Sequence, residues 1–254
     1  MDIIHYNQQA WDNEARKGNE WTIPVGEAEI QQARSGYPHL VLTPTKVVPP
    51  DWYPKLKGAK VLALASGGGQ QVPMLAAAGG EVTVFDLSAE QLKRDADTCA
   101  QFGLTVTTVQ GNMMDLSVLP ENYFDFIFHP CSNCFAPDLT PVWQGCARVL
   151  KKGGTIIWGF TKAESMLLFR NSDDTYLLKY KMPYSDIDSL TEEERSVYTS
   201  KNEPLLFGHS LESQIAALLK NGFALVDLYE DDWGGREPMD AYFKAFVACK
   251  AVKL

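Results

Sequence analysis

From residue 60 onward, apolar positions follow two alternating patterns: short β-branched runs of strand length, and longer stretches with apolar residues at helical spacing. "KVLALA" (60–65) predicts a first strand, and 70–79 predicts a helix with Pro73 in its first turn, where a missing N–H is tolerated. "EVTVFD" (81–86) predicts the second strand. Ser88 and Gln91 have capping-box spacing, and Leu92, Ala96, Cys99 and Ala100 carry the apolar stripe of the next helix to Gly103. "LTVTTVQG" (104–111), "FDFIFHP" (124–130) and "TIIWGF" (155–160) predict further strands. A helix from Val142 to Leu150 precedes the last of them, ending at "KKGG" with lysines at the negative end of its dipole. Beyond residue 206, "SLESQIAALLKNGF" (210–223) predicts a helix, and "ALVDLYE" (224–230) and "AYFKAFVACKA" (241–251) predict strands able to pair antiparallel at a sheet edge.

Strand and helix in alternation, joined by short glycine-bearing turns, require right-handed crossovers. The expected fold is α/β: a Rossmann-like, doubly wound, mostly parallel seven-stranded sheet with an antiparallel C-terminal edge strand. Ligands of such sheets bind outside the carboxyl ends of the strands. Residues 1–57 carry Tyr6, Trp11, Trp21 and Tyr37 ahead of "VVPPDWYP" and read as an N-terminal cap. The main domain is then 58–254, with 161–206 as an insert over the strand ends, a substrate lid that includes the charged helix-like stretch "SLTEEERSVY".

Composition narrows the function classes. With 254 residues, 45% of them hydrophobic, the chain can bury one large core or two small ones. A net charge of -9, with no basic run interleaved with aromatics, argues against a nucleic-acid partner. The opening "MDIIHYNQQAWDNEARKGNEW" has no secretory apolar core, and nowhere do about 18 apolar residues run together, so no membrane partner and a cytoplasmic location are expected. The five cysteines have no scaffold spacing and are expected as free thiols. Cys131 and Cys134 form a C-x-x-C, but only His129 and Cys146 lie near it in sequence, so no metal is expected.

"KVLALASGGGQQVP" (60–73) breaks from a strand into glycines at a helix start. Gly67 and Gly69 let the backbone turn tightly and bring main-chain N–H groups toward an anion at the positive end of the dipole. A dinucleotide fingerprint would need glycine where Val72 stands, and a P-loop would need G-K-[ST] where Gln70 and Gln71 stand. Asp86, at the end of the second strand, can accept hydrogen bonds from both hydroxyls of a ribose. Asn112 can offer an amide to an adenine edge, with Leu87 and Met113 flanking the ring. An adenosine with a carboxylate-bearing tail meets these points together.

With these motifs in this order the chain resembles the class I S-adenosylmethionine-dependent methyltransferases, in particular small bacterial methyltransferase-domain proteins of the domain 11 and ubiquinone-biosynthesis type. "VLALASGGGQ" stands where that family has V-L-D-L-G-C-G-x-G, "VTVFDLS" is similar to its second motif, "QGNMMDL" to its G-D-x-x-D-L, and "ARVLKKGGTII" to its R-V-L-K-P-G-G stretch. The resemblance covers roughly 58–160, with the strands at 223–250 matching the family's antiparallel finish. It implies an enzyme that transfers a methyl group to a small-molecule acceptor and releases S-adenosylhomocysteine. It also implies a cofactor site of Ala65, Ser66, Gly67, Gly69, Gln70, Gln71, Asp86, Leu87, Ser88, Asn112, Met113, Met114, His129 and Pro130. Ala63 replaces the usual acid, Ala65 the first glycine and Asn112 the usual aspartate, so the first strand has no carboxylate for the methionine ammonium. The alternatives are a cofactor-binding module without catalysis and a nicotinamide-dependent oxidoreductase.

Methyl transfer from a sulfonium releases a neutral thioether, so orientation and desolvation suffice unless the nucleophile must lose a proton. His129, leaving the fourth strand, is then the candidate base, with a loop anchor as its structural alternative. Asn133 is a candidate to orient substrate, and Trp11 and Trp21 are candidates for a lid whose aromatic faces meet the sulfonium. The sequence shows no oligomeric state.

Overall fold

The computed structural model describes residues 2–254. Five strands run parallel: β1 (Lys60–Leu64), β2 (Glu81–Asp86), β3 (Thr107–Gln110), β4 (Phe124–His129) and β5 (Leu150–Thr161). With β6 (Phe223–Asp231) and β7 (Phe246–Lys253) they form a seven-stranded sheet in the order β6-β7-β5-β4-β1-β2-β3. The C-terminal strands pair antiparallel as expected, and β7, the reversed one, lies between β5 and β6. Chain direction across the sheet changes at β1, which pairs with both β2 and β4, and this switch point is where an open α/β sheet leaves a crevice.

Period-two alternation builds two cores. In β1, Leu62 and Leu64 face one side, with Val142, Trp143, Cys146 and Val149 of helix α5 (Thr140–Val149); Val61 and Ala63 face the other. That second core takes Val72 and Leu75 of α3 (Gln71–Ala77) and Leu92 and Cys99 of α4 (Ala89–Gln101). In β4 the side of the sheet changes between Phe124 and Phe126, because the register with β5 shifts there.

The N-terminal segment is more than a cap. After α1 (Ile3–Lys17), helix α2 (Glu27–Ala33) places Ile30 and Ala33 in the second core, and Leu40, Leu42, Val48 and Trp52 join them. Tyr37 and the prolines therefore lead into a core layer and not only into a lid. Other elements also depart from expectation. β5 starts at Leu150, directly after α5, and "KKGG" lies within the strand. The helix expected over 210–223 is a π-helical turn (Glu212–Ala216) followed by α7 (Ala217–Lys220), with α6 (Glu192–Thr199) earlier in the insert. The strand expected from 241 starts at 246, because Pro238 opens a 3₁₀ turn whose Asp240 accepts the Trp233 and Gly235 N–H groups. Residues 161–206 hold one small antiparallel pair, Leu168–Arg170 with Tyr176–Leu178, and half of another, Tyr184–Ser185 with Phe207–Gly208. Among the described residues no helix is long and apolar enough to cross a membrane.

Candidate functional site

A cavity of about 880 Å³ opens at the carboxyl ends of β1 to β4. Its base is formed by Ala65, Ser66, Gly67 and Gln71 after β1, Asp86 and Leu87 after β2, Gly111 to Met114 after β3, and Pro130 to Ser132 after β4. Trp11 and Trp21 from the N-terminal segment line it too, so the expected lid tryptophans do face the site. Trp11 is fixed edge-on against Phe135, with ring centroids 4.9 Å apart.

The glycine loop is held by carboxylates of the protein itself. Gly67 N–H donates to Asp86 Oδ2 at 3.0 Å, Gly68 N–H to Asp95 Oδ2 at 3.3 Å and Gly69 N–H to Asp95 Oδ1 at 2.7 Å. Gly68 and Gly69 have φ of +128° and +83°, a conformation in which side chains are strained. The picture of free glycine N–H groups awaiting a carboxylate is therefore corrected: three of them already have one. Gly69 and Gln70 do not line the cavity, and the Gln70 side chain instead donates to Glu20 O at 2.8 Å.

Asp95 is buried in the middle of α4, and burial pushes its carboxyl well above the ordinary 3.8, with the Gly69 and Gly68 N–H groups pulling it back. Asp86 is raised by burial as well, offset by the N–H groups of Ser88 and Gly67. Its Oδ1 accepts Ser88 N–H at 2.9 Å, which fixes the carboxylate at the cavity wall. Ser88 itself caps α4 through Gln91 N–H, donates to Asp12 Oδ1 at 2.6 Å, and does not reach the cavity. Asn112, Met113 and Met114 all line it. Asn112 Oδ1 accepts the Met114 N–H at 3.0 Å, so its amide NH₂ is the group it has free for a ligand.

His129 is 0% exposed and absent from the cavity lining. Nδ1 lies 2.8 Å from Leu64 O and Nε2 2.7 Å from the side-chain amide of Asn133, which continues to Gln214 at 2.7 Å. Burial pushes the ring below its ordinary 6.5; in the neutral form Nδ1–H donates to the Leu64 carbonyl and Nε2 accepts from the NH₂ of Asn133, whose amide oxygen in turn accepts from the Gln214 NH₂. Both nitrogens are occupied in a buried chain of hydrogen bonds, which argues against the base and for the loop anchor. Asn133 is buried in the same chain and does not line the cavity, whereas Pro130 does. Cys131 and Cys134 are free thiols on the wall; burial raises Cys131 far above 9.0 and Cys134 to about 12. Among the described residues no group of His, Cys, Asp and Glu is arranged to hold a metal.

Away from the strand ends the insert forms the walls, through Met166, Phe169, Tyr176, Tyr180, Tyr184 and Tyr198. Asp186 stands among them, with the Tyr184 hydroxyl donating to Oδ1 at 2.7 Å and Leu206 N–H to Oδ2 at 2.7 Å, and burial raises its carboxyl above 3.8. Sequence reading missed Asp95 and Asp186. It also missed Glu14 and placed Gln91 only as a capping residue, yet both line the cavity. Of the buried side-chain polar atoms without a partner among the described residues, two, Ser66 Oγ and Gln91 Oε1, belong to residues of the cavity wall. A nucleoside carrying an amino acid tail has both donors and acceptors to offer them, so the site fits such a group.

Sheet order and switch point define a doubly wound α/β fold whose ligand crevice lies at the strand ends, beside Asp86. Comparison with known proteins specifies the family. The methyltransferase domain family matches residues 62–158. The Bacillus subtilis (strain 168) protein named "Uncharacterized methyltransferase YbaJ" is 42% identical over 254 residues, covering 99% of each chain. A demethylmenaquinone methyltransferase of Anoxybacillus flavithermus is 32% identical over 132 residues, 50% of this chain and 55% of its own. The crystal structure of an S-adenosylmethionine-dependent methyltransferase from Mesorhizobium loti shares the fold, with a TM-score of 0.64 at 16% identity over 80% of this chain and 94% of that one. The chain belongs to the class I S-adenosylmethionine-dependent methyltransferases. Its cofactor is S-adenosylmethionine, and the oxidoreductase and non-catalytic readings fall.

Proposed function

We propose that the chain methylates a small, largely apolar acceptor held beneath the 161–206 insert. The observation that carries this reading is the continuity of the cavity. It runs from Asp86 and Asn112 at the strand ends to the aromatic wall of the insert, and its volume is near the top of the ~300–1,000 Å³ range of small-molecule sites. Its only basic lining residue among those described is Arg170, which is bound to Asp174 and Glu237. Such a wall suits a neutral or cationic molecule and not a polyanion.

When bound, the cofactor supplies a methyl group on a sulfonium whose departure leaves a neutral thioether. In this reading Asp86 receives the ribose hydroxyls, the Asn112 amide meets the adenine edge, and Leu87 and Met113 flank the ring. Ala65, Ser66, Gly67 and Gln71 border the methionine end, and Trp11 and Trp21 exclude water from it. Residues 1–57 then contribute both a core layer and part of the lid, and 161–206 the substrate wall. Asp186 is the group placed to take a proton from the acceptor, because burial raises its proton affinity and the Tyr184 hydroxyl orients it.

The test is to incubate the enzyme with methyl-labelled S-adenosylmethionine and fractionated cell metabolites. Label should enter a low-mass, weakly polar product, more slowly with Asp186→Asn. Label found only in macromolecules would overturn the proposal.

A further inference from the structure

We propose that Glu14 and Gln91 hold the ammonium of the cofactor's methionine end, replacing the carboxylate that Ala63 lacks. The inference rests on the cofactor site assigned above.

The glycine loop is closed to anions. Its three N–H groups at Gly67, Gly68 and Gly69 already bond to Asp86 and Asp95, so the loop offers no free donor to an anion, and carboxyl groups, not cations, stand behind it. A cation is the complementary ligand there. Gln91 supplies an unmet acceptor. The residue is 6% exposed, lines the cavity and packs against the loop, and its Oε1 has no partner. An unpaired buried amide oxygen is costly, and an ammonium N–H removes that cost.

Glu14 supplies the charge. Its side chain is 13% exposed and lines the same cavity. Oε2 accepts from Asn19 Nδ2 at 2.8 Å, which fixes the carboxylate, while Oε1 lies 3.3 Å from the exposed Lys17 Nζ, a pairing of little strength in water. The elements that bear the two residues are joined. Arg94 of α4 donates to Ala15 O and Thr22 O, and Ser88 at the start of α4 donates to Asp12 of α1. The main-chain carbonyl of Trp21 closes over Gly68 beside Gln91 Oε1, so the N-terminal segment and α4 present their acceptors on one wall. Ala63 does not participate, since it is fully buried in the core between the sheet and helices α3 and α4 and does not line the cavity.

The experiment is calorimetric titration with two ligands: S-adenosylhomocysteine, and the analogue whose tail is a butanoate without the amino group. Wild type should bind the amino compound about 10- to 100-fold more tightly, the range of a charge-assisted hydrogen bond. Glu14→Gln should lose most of that preference by weakening only the amino compound, and Gln91→Met should lose part of it, with melting curves confirming that both fold. Full wild-type preference in both variants would overturn the inference. Equal affinity of Asp86→Ala and wild type for both ligands would instead show that the cofactor site itself is misassigned.

Discussion

Asp95 Oδ1 accepts the N–H of Gly69 at 2.7 Å, from the middle of a helix that begins after the next strand. With the second bond, from Gly68, one buried carboxyl shapes the turn that a nucleotide-binding sheet places at its switch point. Asp95→Leu leaves two buried N–H groups without partners, and at about 1–3 kcal/mol each it should lower the unfolding free energy by roughly 2–6 kcal/mol. Urea denaturation measures this, and weaker binding of S-adenosylhomocysteine should accompany it as the loop loosens.

The same carboxyl should leave a signature in the pH dependence of stability. Its folded pKa lies well above the 3.8 of the unfolded chain, so between those two values the folded protein binds the extra proton. Stability from this group is then fully present below 3.8 and declines as pH rises toward the folded pKa. Asp86 is shifted in the same direction and adds to the slope. Asp95→Asn has no proton to lose, so its urea midpoint, followed from about pH 4 to pH 8, should fall less with rising pH than that of wild type.

His129 should prove structural. Its folded pKa is depressed, so the ring favours folding above the unfolded value of 6.5 and this contribution disappears as pH falls through the folded value. His129→Gln should reduce stability near neutral pH, by about 1–3 kcal/mol for a disrupted buried polar chain. The pH profile of kcat/KM should keep its shape, because the ring is not the base. A profile that loses its acidic limb in this variant alone would restore the catalytic role.

A close contact between the sheet and the N-terminal layer makes a steric prediction. A Cβ on Gly159 would lie 2.2 Å from Leu42 O, a backbone atom that cannot swing aside. Gly159→Ala should therefore destabilise by about 1–3 kcal/mol or more, seen as a lower melting temperature, even though it lies in a strand where alanine is otherwise acceptable. A melting point equal to wild type would show that residues 40–42 are not packed on the sheet as described.

Much of the fold is legible in the sequence, because alternation in "VLAL" and "FDFIF" and the glycine ends of helices are local signals. Asp86, Asn112 and Pro130 were legible for the same reason: each follows directly from a strand end. Asp95 was not, since an aspartate in "LKRDADT" reads as solvent-facing, although its spacing from Leu92 and Cys99 places it on the buried stripe. Which of the two readings of His129 holds was not legible, because sequence places it at the strand end without showing which way the ring turns; Leu64 O and Asn133 draw it inward. Glu14 and Asp186 reach the cavity only through tertiary packing of the N-terminal helix and the insert, and no local pattern marks them. Pairing of β6 with β7 was visible, but the π-helical turn before α7 was not, because its apolar spacing differs little from that of an α-helix.

The central claim is that S-adenosylmethionine lies at the strand ends with its ribose on Asp86. Calorimetric titration of the wild-type protein and Asp86→Ala with S-adenosylhomocysteine tests it most directly. Wild type should bind near micromolar concentrations, and the variant, still folded by circular dichroism, should bind about 10- to 100-fold more weakly. Unchanged affinity in folded Asp86→Ala would contradict it.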